Sequence, residues 1–251
     1  MIINLKEKIL QKIEKLQLVL TTPESLKARR AGCYLHLYQM AYRLKLMGFR
    51  PETVIDIGAN RGMFTRCIHY VFPDAFIHAF EPLRDCFEEL ATLKNLIPTL
   101  ECYNLALGER SGETLINRSS YDYSSSLLEM SDLHMQAFPY TAGVIKEMVM
   151  VRKLDEVLQW KKLKQPVMMK IDVQGYEKFV LDGAPETLKY VDSIICEMSF
   201  YPLYKGQILF KDIYRQILDA GFVFRGPIAE RCHPQTLEVL QIDGLFSREA
   251  T

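Results

Sequence analysis

The segment Val54-Ile-Asp-Ile-Gly-Ala-Asn-Arg-Gly62 constrains this chain more than any other. A short run, apolar but for one acid, ends at Gly58, and Gly62 opens a stretch from Met63 to Val71 with a helical pattern. The pattern reads as a buried strand, a tight turn and a helix N-terminus. Glycine adopts turn conformations that other residues resist and lets backbone approach a ligand closely. The free N–H groups of a helix start attract negative charge. The segment therefore predicts an α/β fold with a small ligand, anionic at one end, seated at this turn.

The spacing narrows the ligand. A dinucleotide site uses G-x-G-x-x-G, which brings backbone against a pyrophosphate. Here the glycines are spaced G-x-x-x-G and Asp56 stands just before the first. A carboxylate there repels a pyrophosphate and suits a ligand carrying a cationic amino group. S-adenosylmethionine fits, with an amino group, a sulfonium, one carboxylate and no phosphate. A second acid, Glu81, ends the next apolar run, Ala75-Phe-Ile-His-Ala-Phe80, where it can accept both ribose hydroxyls. The bland alternative is an ordinary strand, turn and helix with a capping acid.

From Glu52 the chain alternates strand and helix. Strands are predicted over Val54–Ile57, Ala75–Phe80 and Thr99–Leu107, and helices over Gly62–Val71 and Leu83–Asn95. Such alternation makes a parallel sheet covered by helices on both faces, with ligands off the carboxyl ends of the strands. Asp56, Glu81 and Asn104 all fall at such ends. Further on, strands are predicted over Glu113–Asn117, Glu147–Val151 and Val191–Met198, a helix over Leu209–Ala220, and two last strands at Phe222–Arg225 and Leu237–Ile242. The loop Arg118–Ser126, rich in Ser and Tyr, is either a solvated connection or a cover for the ligand or a hydroxyl-rich acceptor.

Ahead of the first strand, Ile2–Leu20 reads as an amphipathic helix, and a second helix is predicted from about Glu24 to Met47, ending at Gly48. Residues 1–47 are thus a helical extension and 48–251 a single domain. The extension covers one end of the sheet, or serves as a dimer face, a substrate lid or a membrane-surface helix. Its mixed charge argues against the last.

Lys+Arg and Asp+Glu both number 31, so formal net charge is zero and no basic excess points to nucleic acid. A hydrophobic share of 49% supports a sizeable core. Six cysteines without a C-x-x-C pair read as free thiols. No signal-peptide pattern or bilayer-length apolar segment is visible, so the chain reads as cytoplasmic.

The stretch Pro166-Val-Met-Met-Lys-Ile-Asp-Val-Gln-Gly-Tyr-Glu177 is the second informative one. Lys170 and Asp172, two apart on a strand, share a face. They are either a structural ion pair or a site in which Asp172 orients an acceptor hydroxyl or takes its proton. Glu197 ends the next strand as a second carboxylate, to bind substrate or cap the loop. No histidine stands at metal-site spacing and no full oxygen-ligand set is visible, so no metal is predicted.

Together these residues resemble the FkbM family of methyltransferases. The likeness rests on Val54–Gly62, Phe80-Glu-Pro82, Asn104–Gly108, Leu154-Asp155, Lys170–Glu177, Leu181–Ala184 and Ile195–Glu197, and starts at about residue 52. That family commonly has Glu where Gln174 stands. The resemblance implies a Rossmann-like class I methyltransferase sheet of seven strands, mostly parallel, with the last antiparallel. It implies S-adenosylmethionine contacts from Asp56, Gly58, Ala59, Asn60 and Gly62, from Glu81 and Pro82, and from Asn104 and Ala106. It implies methyl transfer to oxygen on a sugar or natural-product hydroxyl, with Asp172 and then Glu197 as candidate bases. The alternatives are a nicotinamide-dependent reductase on a similar sheet and a non-catalytic cofactor-binding module. A small-molecule acceptor is the expected partner, and the N-terminal helices offer a homodimer face.

Overall fold

β1 (Thr53–Ile57) is buried along its whole length, as a strand covered on both faces must be. The computed structural model describes residues 23–249, so the helix expected over Ile2–Leu20 lies outside the described residues. Before β1 come α1 (Pro23–Arg30) and α2 (Leu35–Leu46). After it follow α3 (Met63–Val71), β2 (Phe76–Phe80), α4 (Arg84–Thr92), β3 (Leu100–Tyr103), β4 (Ala106–Leu107) and β5 (Gly112–Ser119). Then come α5 (Asp132–Ala137), β6 (Val144–Arg152), α6 (Leu154–Val157), β7 (Val167–Ile171), α7 (Glu177–Asp182) and α8 (Pro185–Leu188). β8 (Ser193–Ser199), α9 (Phe210–Asp219), β9 (Val223–Cys232) and β10 (Val239–Ser247) complete the described chain.

The main sheet has seven strands in the order β3-β2-β1-β7-β8-β10-β9. β3 through β8 are parallel, and β10 runs antiparallel to both its neighbours. This is the seven-stranded, mostly parallel sheet expected, with the last strand reversed. Alternating side chains split the core in two. Val54, Ile77, Met168 and Ile195 pack with residues of α2, α3 and α4 on one face. Ile55, Ile57, Met169, Ile171 and Ile194 pack with residues of α7, α8 and α9 on the other. Strand order reverses at β1 and β7, and in open α/β sheets the crevice at such a switch point holds the ligand.

Three expectations need correction. The helix expected over Glu24–Met47 is two helices, broken at Gly32, whose φ of +83° suits glycine and ends α1. The single strand expected over Thr99–Leu107 is two short ones in different sheets. The chain leaves the main sheet at Asn104, whose Nδ2 donates to the carbonyls of Glu81 (3.0 Å) and Pro82 (2.9 Å). β4 then joins a second sheet, β4-β6-β5, whose inner residues Ile116 and Val149 pack on Leu83 and Cys86. The last two strands are longer than expected and form an antiparallel pair. Among the described residues no helix is long and apolar enough to cross a membrane.

Candidate active site

The carboxyl ends of β1, β2, β7 and β8 open into a cleft of about 640 Å³, within the range of roughly 300–1,000 Å³ common for small-molecule sites. One wall is the turn after β1. Gly58 has φ +80°, and a Cβ there would lie 1.9 Å from the Asp172 carbonyl oxygen, so only glycine lets the β1 turn pass the end of β7. The N–H groups of Gly58 and Ala59 both donate to the Phe80 carbonyl, at 3.1 and 2.9 Å, which ties this turn to the end of β2. Asn60 follows in the left-handed region at φ +48°.

Glu81 is buried at 4% exposure, and its two oxygens serve two loops. Oε2 accepts the Asn60 N–H and Oε1 the Leu83 N–H, both at 2.8 Å. Each carboxylate oxygen still has a lone pair for a further donor. Burial pushes the Glu81 carboxyl up to about 7, against the pull of those two N–H groups. An acid so placed gains from a ligand that brings hydroxyl donors, as a ribose does.

Of the residues expected to hold the cofactor, Gly58, Asn60, Glu81, Pro82 and Ala106 line the cleft. Asp56, Ala59, Gly62 and Asn104 do not. Asp56, expected to meet a cationic ligand, lies behind the cleft wall. Its side chain lies on the α3 face of β1, fully buried, where Oδ2 accepts the Thr65 hydroxyl at 2.6 Å and Oδ1 has no partner. Its register neighbour on β7 is Lys170. Burial raises the Asp56 carboxyl, with Lys170 and Thr65 pulling it back. Ala59 and Gly62 act through packing. Ala59 is in the core, and a Cβ on Gly62 would meet the Leu93 and Leu90 side chains at 2.5 and 2.8 Å. Asn104 braces the loop after β2, as described above.

The opposite wall carries the acids. Asp172 and Glu197 both reach the cleft, joined there by Asp243 of β10, which pairs in register with Glu197. Lys170 Nζ donates to Asp172 Oδ2 at 2.9 Å. Burial works against the Lys170 charge, but the carboxylates of Asp172, Asp56 and Asp243 outweigh it and hold the ammonium above its usual range. Burial likewise pushes Asp172 up, but Lys170 and Gln174 more than reverse this and keep it below the usual carboxylate range. Glu197 lies well above its usual value, through burial and then the charges of Asp172, Glu177 and Asp243. Asp243 is raised to about 6, by burial and then by Asp172. The two candidate bases thus differ in kind. Glu177 does not line the cleft, and its Oε1 accepts the N–H groups of Val173 (3.1 Å) and Gly175 (3.0 Å) and so shapes the turn after β7.

The loop after β5 forms a further wall through Tyr121, Asp122, Tyr123 and Ser126. Two arginines fasten it. Arg61, in the turn after β1, pairs with Asp85 (2.9 Å), Glu89 (2.6 Å) and Asp122 (2.6 Å). Arg118 pairs with Asp85 (2.8 Å), Asp122 (3.2 Å) and Glu147 (3.0 Å). Asp85, Cys86 and Asp122 also bring ligand atoms within 4.8 Å of one another. The guanidinium groups already supply the positive charge that a metal would bring there. No role was read from the sequence for Arg61, Arg118 or Asp243. The acid pattern 85, 89, 122 opposite two arginines is a signal that only spatial proximity makes readable.

The Methyltransferase FkbM domain matches residues 56–224. The 2-O-methyltransferase NoeI of Sinorhizobium fredii is 28% identical over 171 residues, covering 63% of this chain and 68% of NoeI. Among solved structures the chain is similar to the magnesium protoporphyrin IX methyltransferase of Synechocystis, with 9% identity and a TM-score of 0.45 over 84% of this chain and 76% of that one. It is also similar to a 1,6-didemethyltoxoflavin N1-methyltransferase of Burkholderia thailandensis, with 10% identity and a TM-score of 0.46 over 85% and 79%. Since the domain spans most of its length, from the acid of β1 to the first residues of β9, the chain belongs to the FkbM family of methyltransferases.

Proposed function

We propose that this protein methylates a hydroxyl oxygen of a sugar-like small molecule at the expense of S-adenosylmethionine. The observation that carries the reading is the placing of two dissimilar acid sites on one cleft: Glu81 at the end of β2, and Asp172 with Glu197 at the ends of β7 and β8. Membership of a methyltransferase family sets aside the nicotinamide-dependent reductase, and the 2-O-methyltransferase NoeI supports oxygen as the acceptor atom.

The donor set fits the cofactor. Glu81 has lone pairs free for the ribose hydroxyls, and Gly58 and Asn60 form the adjoining wall with no side chain longer than an amide. When bound, S-adenosylmethionine supplies an electrophilic methyl group on a sulfonium. Asp172, ionised and paired with Lys170, sets a negative potential where a cationic ligand has to sit. Glu197 is the better base. Lys170 on Oδ2 and Gln174 on Oδ1 hold Asp172 ionised and make it a weak base, whereas Oε1 of Glu197 takes no donor among the described residues. A general base works best with a pKa near the working pH, and burial moves Glu197 in that direction. It takes the hydroxyl proton at Oε1. This reverses the order expected from sequence, in which Asp172 came first.

The test is transfer of labelled methyl from S-adenosylmethionine to a panel of neutral mono- and oligosaccharides. Wild type should label at least one, and Glu197→Gln should lose about 10²–10⁴ in rate while binding the cofactor normally. Cofactor binding with no transfer to any hydroxyl would favour a non-catalytic module instead.

A further inference from the structure

Gln174 occupies the turn between the two acids. It is buried, at 7% exposure, and sits in the left-handed region at φ +55°. Its amide nitrogen donates twice, to Asp172 Oδ1 and to Glu197 Oε2, each at 2.8 Å. A primary amide has two N–H protons, so each acid takes one. The amide orientation is forced, because the reverse would set Oε1 against two carboxylate oxygens. The backbone is pinned as well: the Ser126 hydroxyl donates to the Gln174 carbonyl at 2.7 Å.

Behind the amide stands a second tier. The hydroxyl of Tyr204, a fully buried residue, donates toward Gln174 Oε1 at 3.0 Å and reaches the Ser124 carbonyl at 3.1 Å. Tyr204 is held in turn by Gln207, whose Oε1 accepts the N–H groups of Leu203 (3.0 Å) and Tyr204 (3.2 Å) and whose Nε2 donates to the Ser199 hydroxyl at 2.8 Å. Gly175 makes room: a Cβ there would press on the Tyr204 ring at 3.1 Å and on Gln207 at 3.3 Å. The single hydroxyl proton of Tyr204 is shared between Gln174 Oε1 and the Ser124 carbonyl, and a buried hydrogen-bonded chain of this kind rigidifies the groups it joins.

The charges of Asp172, Glu177 and Asp243 oppose ionisation of Glu197 and that of Arg231 on β9 favours it, yet no cation lies within ion-pair distance of Glu197 among the described residues, whereas Asp172 has Lys170. The Gln174 amide is what couples Glu197 to that pair. We propose that Gln174, oriented by Tyr204, is a positioning residue of the methyl transfer: it holds the Glu197 carboxyl by Oε2 at the cleft wall and leaves Oε1 free for the acceptor hydroxyl. The inference rests on the reading of Glu197 as the base.

Tyr204→Phe is the discriminating variant, since it removes one hydroxyl that touches neither acid, and Gln174→Leu removes the amide itself. Side-chain carboxyl carbons are followed by 13C NMR against pH in the ligand-free protein, with Glu197 assigned by Glu197→Gln. Loss of a donor to an ionised carboxyl should raise the Glu197 midpoint by about one pH unit in Gln174→Leu and by a fraction of that in Tyr204→Phe. S-adenosylmethionine affinity, read by calorimetry, should stay within about threefold of wild type in Tyr204→Phe, because the Glu81 wall is untouched. A Glu197 midpoint unmoved in Tyr204→Phe, in protein that still binds the cofactor, overturns the proposal even if Gln174→Leu fails to fold. Full methyl transfer by Glu197→Gln would remove the base itself, and that result is separable, since it leaves the titration shifts in place.

Discussion

Substituting Gly58 by alanine should separate two costs that the structure lets one weigh. The first is conformational. An L-residue in the left-handed region costs roughly 1–2 kcal/mol, and Gly58 sits at φ +80°. The second is steric. The new Cβ would lie 1.9 Å from the carbonyl oxygen of Asp172 and 2.9 Å from its carbon, and both are backbone atoms that no rotamer change can move aside. Forcing atoms into a packed site costs about 1–3 kcal/mol and occasionally more, and this overlap belongs at the upper end. The sum is about 3–5 kcal/mol. Gly206→Ala is the control, because Gly206 has φ +74° with nothing within 4 Å of a built Cβ, so it carries the conformational cost alone. With a melting shift of about 2–4 °C per kcal/mol at this size, thermal denaturation should drop by about 6–20 °C for Gly58→Ala and by about 2–8 °C for Gly206→Ala. Equal shifts for the two would refute the claim that the β1 turn packs directly on the end of β7.

Arg61→Ala removes three ion pairs but from a side chain 30% exposed, so screening limits the loss to about 1–2 kcal/mol in urea unfolding, and the difference should shrink in high salt. Glu81 gives a pH signature. Its carboxyl is raised from 4.5 to about 7, so the stability it contributes is complete below pH 4.5 and is lost as pH climbs through 7. Glu81→Ala lacks that loss, so its stability relative to wild type should improve between pH 4.5 and 8 by on the order of 3 kcal/mol. A gap between the two proteins that stays constant across this window would show that Glu81 is ionised throughout.

The frame of the site was legible because buried parallel strands announce themselves. Val54–Ile57 is apolar but for Asp56 and runs into Gly58, Ala75–Phe80 is apolar but for His78 and runs into Glu81, and Val167–Ile171 lies between Pro166 and Asp172; Glu81 and Asp172 stand on the cleft. The surroundings of Asp56 were not legible, because only register shows which face a strand residue takes, and Lys170 opposite it lies more than a hundred residues on. The break at Asn104 was hidden because a single side-chain amide, capping two carbonyls of another loop, decides it. Gln174 stood in plain view two residues beyond Asp172, but its role needs Glu197, 23 residues away, and Tyr204, 30 away. Polar chemistry between elements depends on positions that no local pattern carries, whereas apolar periodicity is local.

Calorimetric titration of wild type and Glu81→Ala with S-adenosylmethionine tests the account most directly. Wild type should bind. The variant should bind at least tenfold more weakly, since hydrogen bonds to a charged group are worth about 1.5–3 kcal/mol. Folded wild type that takes up no S-adenosylmethionine, or a folded Glu81→Ala with undiminished affinity, would contradict the placement of the nucleoside at the end of β2 and the function built upon it.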